Sequence, residues 1–159
     1  MQQLEREILD ESVDLEFTIS LLYFLFSQTF PQTSLFWGRL WIEEQDHANM
    51  LKSCCEMFDD EDIDTSEILW PDLDKVRAID HRIRELIIQY EKNPPPLQEA
   101  FNTALQIEQA AEEYQIRVTE EKSDQAKGSQ ALEVVRRLNS DERSHARRIG
   151  EYMEISGLD

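Results

Sequence analysis

Apolar residues recur at helical spacing along most of the chain. Leu4, Ile8, Leu9, Val13, Phe17, Leu21 and Phe24 mark a first helix over residues 2–30, which Pro31 ends. The turn "PQTS" offers Thr33 and Ser34 as caps, and a second stripe follows through Trp37, Leu40, Glu44, His47, Leu51, Cys54 or Cys55, and Phe58. It stops in the acidic stretch "DDEDIDTSE" (59–67), whose composition suits a solvated loop. A shorter amphipathic segment over 72–92 runs through Val76, Ile79, Ile83, Leu86 and Tyr90, and Asn93 with prolines 94–96 closes it. Pro96 suits the first turn of the next helix, where its missing N–H would be unpaired anyway. A third long stripe, over 97–122, carries Leu97, Phe101, Leu105, Glu108, Ala111 or Glu112, and Ile116. Beyond the polar "KSDQAKGSQ" a fourth runs over 130–156 through Leu132, Val135, Leu138, Glu142, His145, Ile149 and Met153, with Gly157 at its end.

Four helices of this length, each near 40 Å at the standard rise of about 1.5 Å per residue, predict an all-α fold. The expected architecture is a single domain over 1–159, an antiparallel four-helix bundle with an extra helix in the crossover between the second and third helices. Only 4 glycines and 5 prolines in 159 residues agree with long helices. The run "LLYFLF" (21–26) is apolar all round, so something must cover its outer side: the inserted helix, or a second subunit in a two-fold homodimer.

Charge narrows the partners. With 34 acidic against 16 basic residues and a net charge of −18, the surface repels nucleic acid and anionic membranes and attracts cations. The two cysteines, Cys54 and Cys55, are adjacent, which gives neither a disulfide framework nor a Cys-x-x-Cys metal knuckle; they read as small apolar residues in a reducing compartment. The N-terminal "MQQLEREILDES" lacks the basic and apolar regions of an export signal, and no apolar run is long enough to span a bilayer, so a cytoplasmic location is expected.

The second and fourth stripes contain a repeat. Laying "WGRLWIEEQDHANML" (37–51) over "VRRLNSDERSHARRI" (135–149) matches Leu40 with Leu138, Glu44 with Glu142, His47 with His145, Ala48 with Ala146 and Leu51 with Ile149. Each copy places Glu-x-x-His on the apolar stripe, where positions three apart share a helix face. The preceding helices each offer one carboxylate within their own stripe, Glu16 and Glu108. Four carboxylates and two imidazoles facing one interior would be costly to bury unpaired, whereas two divalent cations would neutralise them. Carboxylate and imidazole donors without thiolate suit iron or manganese.

Glu, Glu-x-x-His, Glu, Glu-x-x-His is the ligand set of ferritin-like di-iron carboxylate bundles. Through "LEFTISLLYFLF", "FPQTSLFWGRLWIEEQDHANML", "ALQIEQAAEEYQIR" and "LNSDERSHARRIGEY", the chain resembles the rubrerythrin-like branch of that superfamily. The resemblance implies that Glu16 and Glu108 are terminal ligands, that Glu44 and Glu142 bridge two irons, and that His47 and His145 bind one iron each. It also implies peroxide or dioxygen chemistry. Rubrerythrins proper carry a rubredoxin domain with Cys-x-x-Cys pairs, and this chain has none, so electrons would come from a separate donor protein. They also place a glutamate three residues after the third-helix ligand, where this chain has Ala111. Glu112, one position on, reads as a spare ligand, a carboxylate on the path of arriving Fe²⁺, or a partly solvated residue. The resemblance further implies that Asp141 accepts the free ring N–H of His47, and Glu43 that of His145.

Tyr23 and Tyr114 lie close enough to the expected site to donate to its ligands or act as radical sinks, but packing in the core with hydrogen-bonded hydroxyls is the favoured reading; His81 beside Asp80 is expected on the surface. Three functions fit these expectations: a peroxidase reduced by another protein, a ferroxidase, or a non-catalytic carrier of iron or manganese.

Overall fold

A computed structural model describes residues 1–60, 68–118 and 129–158, without the side chains of Asp59, Asp60 and Glu112. The expected loop at 59–67 and the polar connection before 129 therefore lie largely outside the described residues. The chain runs through α1 (Gln3–Thr29), a single 3₁₀ turn (Pro31–Thr33), α2 (Ser34–Asp60), β1 (Ile68–Leu69) and α3 (Leu73–Lys92). It continues through α4 (Leu97–Gln109), α5 (Ala111–Tyr114), β2 (Arg117–Val118) and α6 (Gln130–Ser156).

Local chemistry sets the helix ends. Asp72 caps α3 by accepting the Asp74 and Lys75 N–H groups at 2.9 and 3.2 Å, and Ser129 accepts Leu132 N–H at the start of α6. Gly157 adopts φ +63° after α6, with Leu158 N–H bonding Met153 O and Gly157 N–H bonding Glu154 O. That pair of bonds is the Schellman ending, which favours glycine because a Cβ is strained at positive φ. Thr33, one of the expected caps, accepts the Trp37 indole N–H at 3.0 Å.

The bundle is antiparallel between neighbours. Phe26 of α1 meets Trp37 of α2 with ring centroids 5.0 Å apart, while Cys55 at the far end of α2 lies against Asp10. On α6, Arg148 pairs with Glu43 of α2 and Ala131 receives the Cys54 thiol at the other end. Phe101 of α4 stacks on Tyr152 of α6 at 5.0 Å. The crossover helix α3 runs parallel to α1: Arg77 reaches Glu7 and Glu11 at 2.7 and 2.8 Å, and Tyr90 meets Phe26 at 5.9 Å. It covers one flank of "LLYFLF" only, since Leu21 and Phe24 stay exposed, as does Phe17 one turn before the run.

Two apolar clusters fill the interior. The upper one holds Leu15, Ile19, Phe26, Trp37, Leu40, Phe101 and Ile149; the lower one holds Ile8, Leu9, Leu51, Cys54, Leu132 and Leu138. Each fully buried leucine or phenylalanine contributes about 1.5–3 kcal/mol. Leu40 and Leu51 on α2, and Ile149 and Leu138 on α6, belong to opposite clusters, so the residues between them form a separate layer at mid-bundle.

The third helix differs from the sequence expectation. Instead of continuing to 122, α4 stops at Gln109; one turn of helix follows, and Arg117–Val118 then pairs antiparallel with Ile68–Leu69. Ala110 N–H is shared between the Gln106 and Ile107 carbonyls, and the Tyr114 hydroxyl donates back to Ile107 O at 2.5 Å. Beyond the break, Ile116 is buried in the lower cluster, and Asn139 of α6 donates to its carbonyl at 2.8 Å. Ile116 and Val118 are β-branched, and extended backbone buries Ile116 and Ile68 together while giving the strand a partner. The expected helix end at 119–122 lies outside the described residues.

Candidate metal centre

The repeat in α2 and α6 arrives at one level because the helices are antiparallel and each Glu-x-x-His faces inward. Glu16, Glu44, His47, Glu108, Glu142 and His145 are all buried in the layer between the two apolar clusters. Glu44, His47, Glu142 and His145 each offer a ligand atom, and the four atoms lie within 4.8 Å of one another. The two imidazoles stack, with centroids 5.1 Å apart and planes 17° from parallel.

Both histidines turn Nδ1 inward. His47 Nδ1 stands 3.1 Å from Glu44 Oε2 and 2.7 Å from Glu142 Oε1; His145 Nδ1 stands 2.6 Å from Glu44 Oε1 and 3.8 Å from Glu108 Oε2. Their Nε2 atoms face outward, that of His145 to Glu43 at 3.1 Å and that of His47 to Asp141 at 3.9 Å. Glu43 is in turn gripped by Arg148 through both carboxylate oxygens, whereas Asp141 has Arg137 at 3.8 Å. Glu108 accepts a hydrogen bond from Tyr23 across the bundle, so Tyr23 does more than pack. Glu112 falls among the side chains outside the description, and His81 is exposed, 3.7 Å from Glu85.

Electrostatics shows how much charge the layer holds. Burial, followed by Glu142 and Glu44, pushes the Glu16 carboxyl well above the usual range, and the same causes raise Glu108. Burial would also raise Glu44, but His145 and His47 outweigh it and bring it down to about 2. For the imidazoles burial acts downward; Glu142 and Glu44 lift His47 to about 12, and Glu44 and Glu43 lift His145 to about 11. Outside the layer, hydrogen bonds from His145 and Arg148 overcome burial and hold Glu43 at about 2. The layer thus gathers acids and imidazoles that strongly shift one another's proton affinity.

The donor set fits a cation better than it fits protons. Glu16 Oε2, Glu44 Oε1, Glu142 Oε1 and His145 Nδ1 are buried without a hydrogen-bond partner. Glu44 Oε1 faces His145 Nδ1 at 2.6 Å and Glu142 Oε1 faces His47 Nδ1 at 2.7 Å, contacts that pair charge without a hydrogen bond. Natural interiors leave few polar atoms unpaired, and four in one layer is the arrangement expected of lone pairs that converge on a metal. Oxygen and imidazole donors with no thiolate suit iron or manganese. A protein-family model described as Rubrerythrin matches residues 7–153.

The chain belongs to the rubrerythrin family. No curated protein and no solved structure matches it significantly. Family membership and the buried cluster together point to an iron-binding helical bundle. This rubrerythrin-family chain shows no rubredoxin domain, its two cysteines being adjacent and unbridged. Among its described residues no helix is long and apolar enough to cross a membrane.

Arg148 is the site residue that sequence patterning did not single out, and Tyr23 takes the donor role that was the lesser of its expected readings. Tyr23 lies 85 positions from its partner Glu108, and Arg148 lies 105 from Glu43. No local spacing connects residues that far apart.

Proposed function

We propose that the chain is a di-iron carboxylate oxidoreductase that reduces hydrogen peroxide or dioxygen, as a peroxidase or ferroxidase, in the cytoplasm. A separate donor protein restores its electrons, and the acting form is a homodimer. The observation that carries this reading is the doubled Glu-x-x-His layer with four unpartnered donor atoms. Glu16, Glu44, His47, Glu108, Glu142 and His145 are the residues that would hold two ions. Iron bound there supplies one electron per ion as it passes from ferrous to ferric. The chain's own contribution is to orient and exclude. Glu43 fixes the His145 ring from outside, Asp141 stands 3.9 Å from the His47 ring, Tyr23 holds Glu108, and apolar clusters close the layer above and below.

Anaerobic Fe²⁺ titration is expected to saturate near two ions per chain. A following pulse of peroxide that oxidises the iron faster than air supports the peroxidase, and the reverse supports the ferroxidase. Iron that binds but is oxidised no faster than free Fe²⁺ favours the carrier reading, for iron or manganese, to which the net charge of −18 lends equal support. Ligands must be deprotonated to bind metal, and both imidazoles hold their protons through the neutral range. Uptake should therefore release protons and weaken as pH falls; an affinity that rises toward acid pH would contradict the assignment.

A further inference from the structure

We propose that a chamber beside the metal layer binds a small organic carboxylate. The chamber has a volume of about 540 Å³ and is bounded by Glu108 and Glu142 on its inner side and by Gln115, Arg117 and Arg143 elsewhere. It occupies the place where α4 departs from a continuous helix. The chain beyond Gln109 swings through α5 into β2, and Ala111 and Val118 on that detour face Ala146 of α6 across the space. Asn139 also borders it, braced by its bond to the Ile116 carbonyl.

Size and chemistry both argue for an organic ligand. Dioxygen or peroxide is close in size to water, which takes about 30 Å³, so the chamber is more than ten times too large for the oxidant alone. Its volume falls among sites for small organic molecules, about 300–1,000 Å³. Gln115 is 7% exposed and its Nε2 has no hydrogen-bond partner, so a buried donor waits for an acceptor at this wall. Half-buried Arg117 and exposed Arg143 add positive charge to the same space in a chain that is strongly acidic overall. An acceptor of negative charge on a compact apolar body satisfies the Gln115 amide and faces the Arg143 guanidinium while its body lies along Ala111, Val118 and Ala146. The proposal rests on the metal reading in one respect: cations must neutralise Glu108 and Glu142, or their charge would repel the carboxylate.

Calorimetric titration of the Mn²⁺-loaded protein under argon tests this with three probes: benzoate, the neutral benzamide, and inorganic phosphate. Mn²⁺ content is measured on every sample. Saturable benzoate binding is expected, at least 10-fold tighter than benzamide, and Gln115→Leu and exposed Arg143→Gln should each weaken it about 10-fold, as loss of a charge-assisted hydrogen bond does. Full Mn²⁺ uptake with no benzoate binding, or with binding indifferent to both substitutions, overturns the chamber and leaves the metal centre standing. Phosphate binding tighter than benzoate overturns the organic ligand in favour of a bare oxyanion. Failure to take up Mn²⁺ or Fe²⁺ at all removes the metal centre and the chamber's ligand with it.

Discussion

In the α1–α2 half of the bundle, Glu16 is buried beside Glu44 with one oxygen unpartnered, and both helices run unbroken past the site. In the α4–α6 half, Glu108 takes a hydrogen bond from Tyr23, and the helix that carries it stops one residue later. The outer acids differ as well. Glu43 of α2, held by Arg148, closes to 3.1 Å on His145, while Asp141 of α6 stays 3.9 Å from His47. A repeated frame decides which side chains converge, but the surroundings of each copy decide how firmly they are held and what can approach them. One half presents continuous helices to the site, and the other borders a chamber where its helix breaks.

The largest effect should come from the residues the halves share. Glu44 faces both imidazoles, one with each oxygen. Glu44→Ala should therefore lower Fe²⁺ affinity by more than the roughly 10- to 100-fold typical of losing an outer partner, and it should abolish both binding events. Glu16→Ala and Glu108→Ala should each leave one ion bound, as counted by metal analysis after dialysis. Loss of a single ion from Glu44→Ala would place that residue on one metal only.

The outer acids come next. Glu43→Ala should weaken metal retention by about 10-fold or more, and Asp141→Ala by less, because only the first removes a close, charge-fixed acceptor of the ring N–H. Equal losses in competition with a chelator would erase the asymmetry between the halves. The tyrosines give the smallest difference. Tyr23→Phe and Tyr114→Phe should each cost about 1 kcal/mol in denaturant unfolding, since each removes one buried hydrogen bond. Only Tyr23→Phe should also shift Fe²⁺ affinity, because the Tyr114 hydroxyl serves the Ile107 carbonyl and not a carboxylate of the layer.

Much of this architecture could be read from spacing. Glu44, His47, Glu142 and His145 stand where leucines would be expected, and polar residues on an apolar stripe mark a site because the alternative is an unpaired buried charge. Gly157 likewise announces the end of α6 through chemistry confined to a few neighbouring residues. The break after Gln109 could not be read, because Ile116 satisfies a helical stripe and a buried extended segment equally well. What decides between them is the strand at Ile68–Leu69, contributed from about fifty positions away. The Tyr23 bond to Glu108 and the Arg148 grip on Glu43 belong to the same class, as does the unpartnered amide of Gln115. Their meaning exists only after helices from distant parts of the chain have met.

The charged layer also bears on how the molecule holds together. It divides the interior into two oily halves that touch each other only across a disc of acids and imidazoles, and it draws its members from all four long arms of the bundle. Whatever neutralises that disc cinches the molecule at its waist, so that keeping the ion and keeping the shape become a single equilibrium. The abundance of such a chain would then follow the supply of its metal, and scarcity would be felt first as fragility.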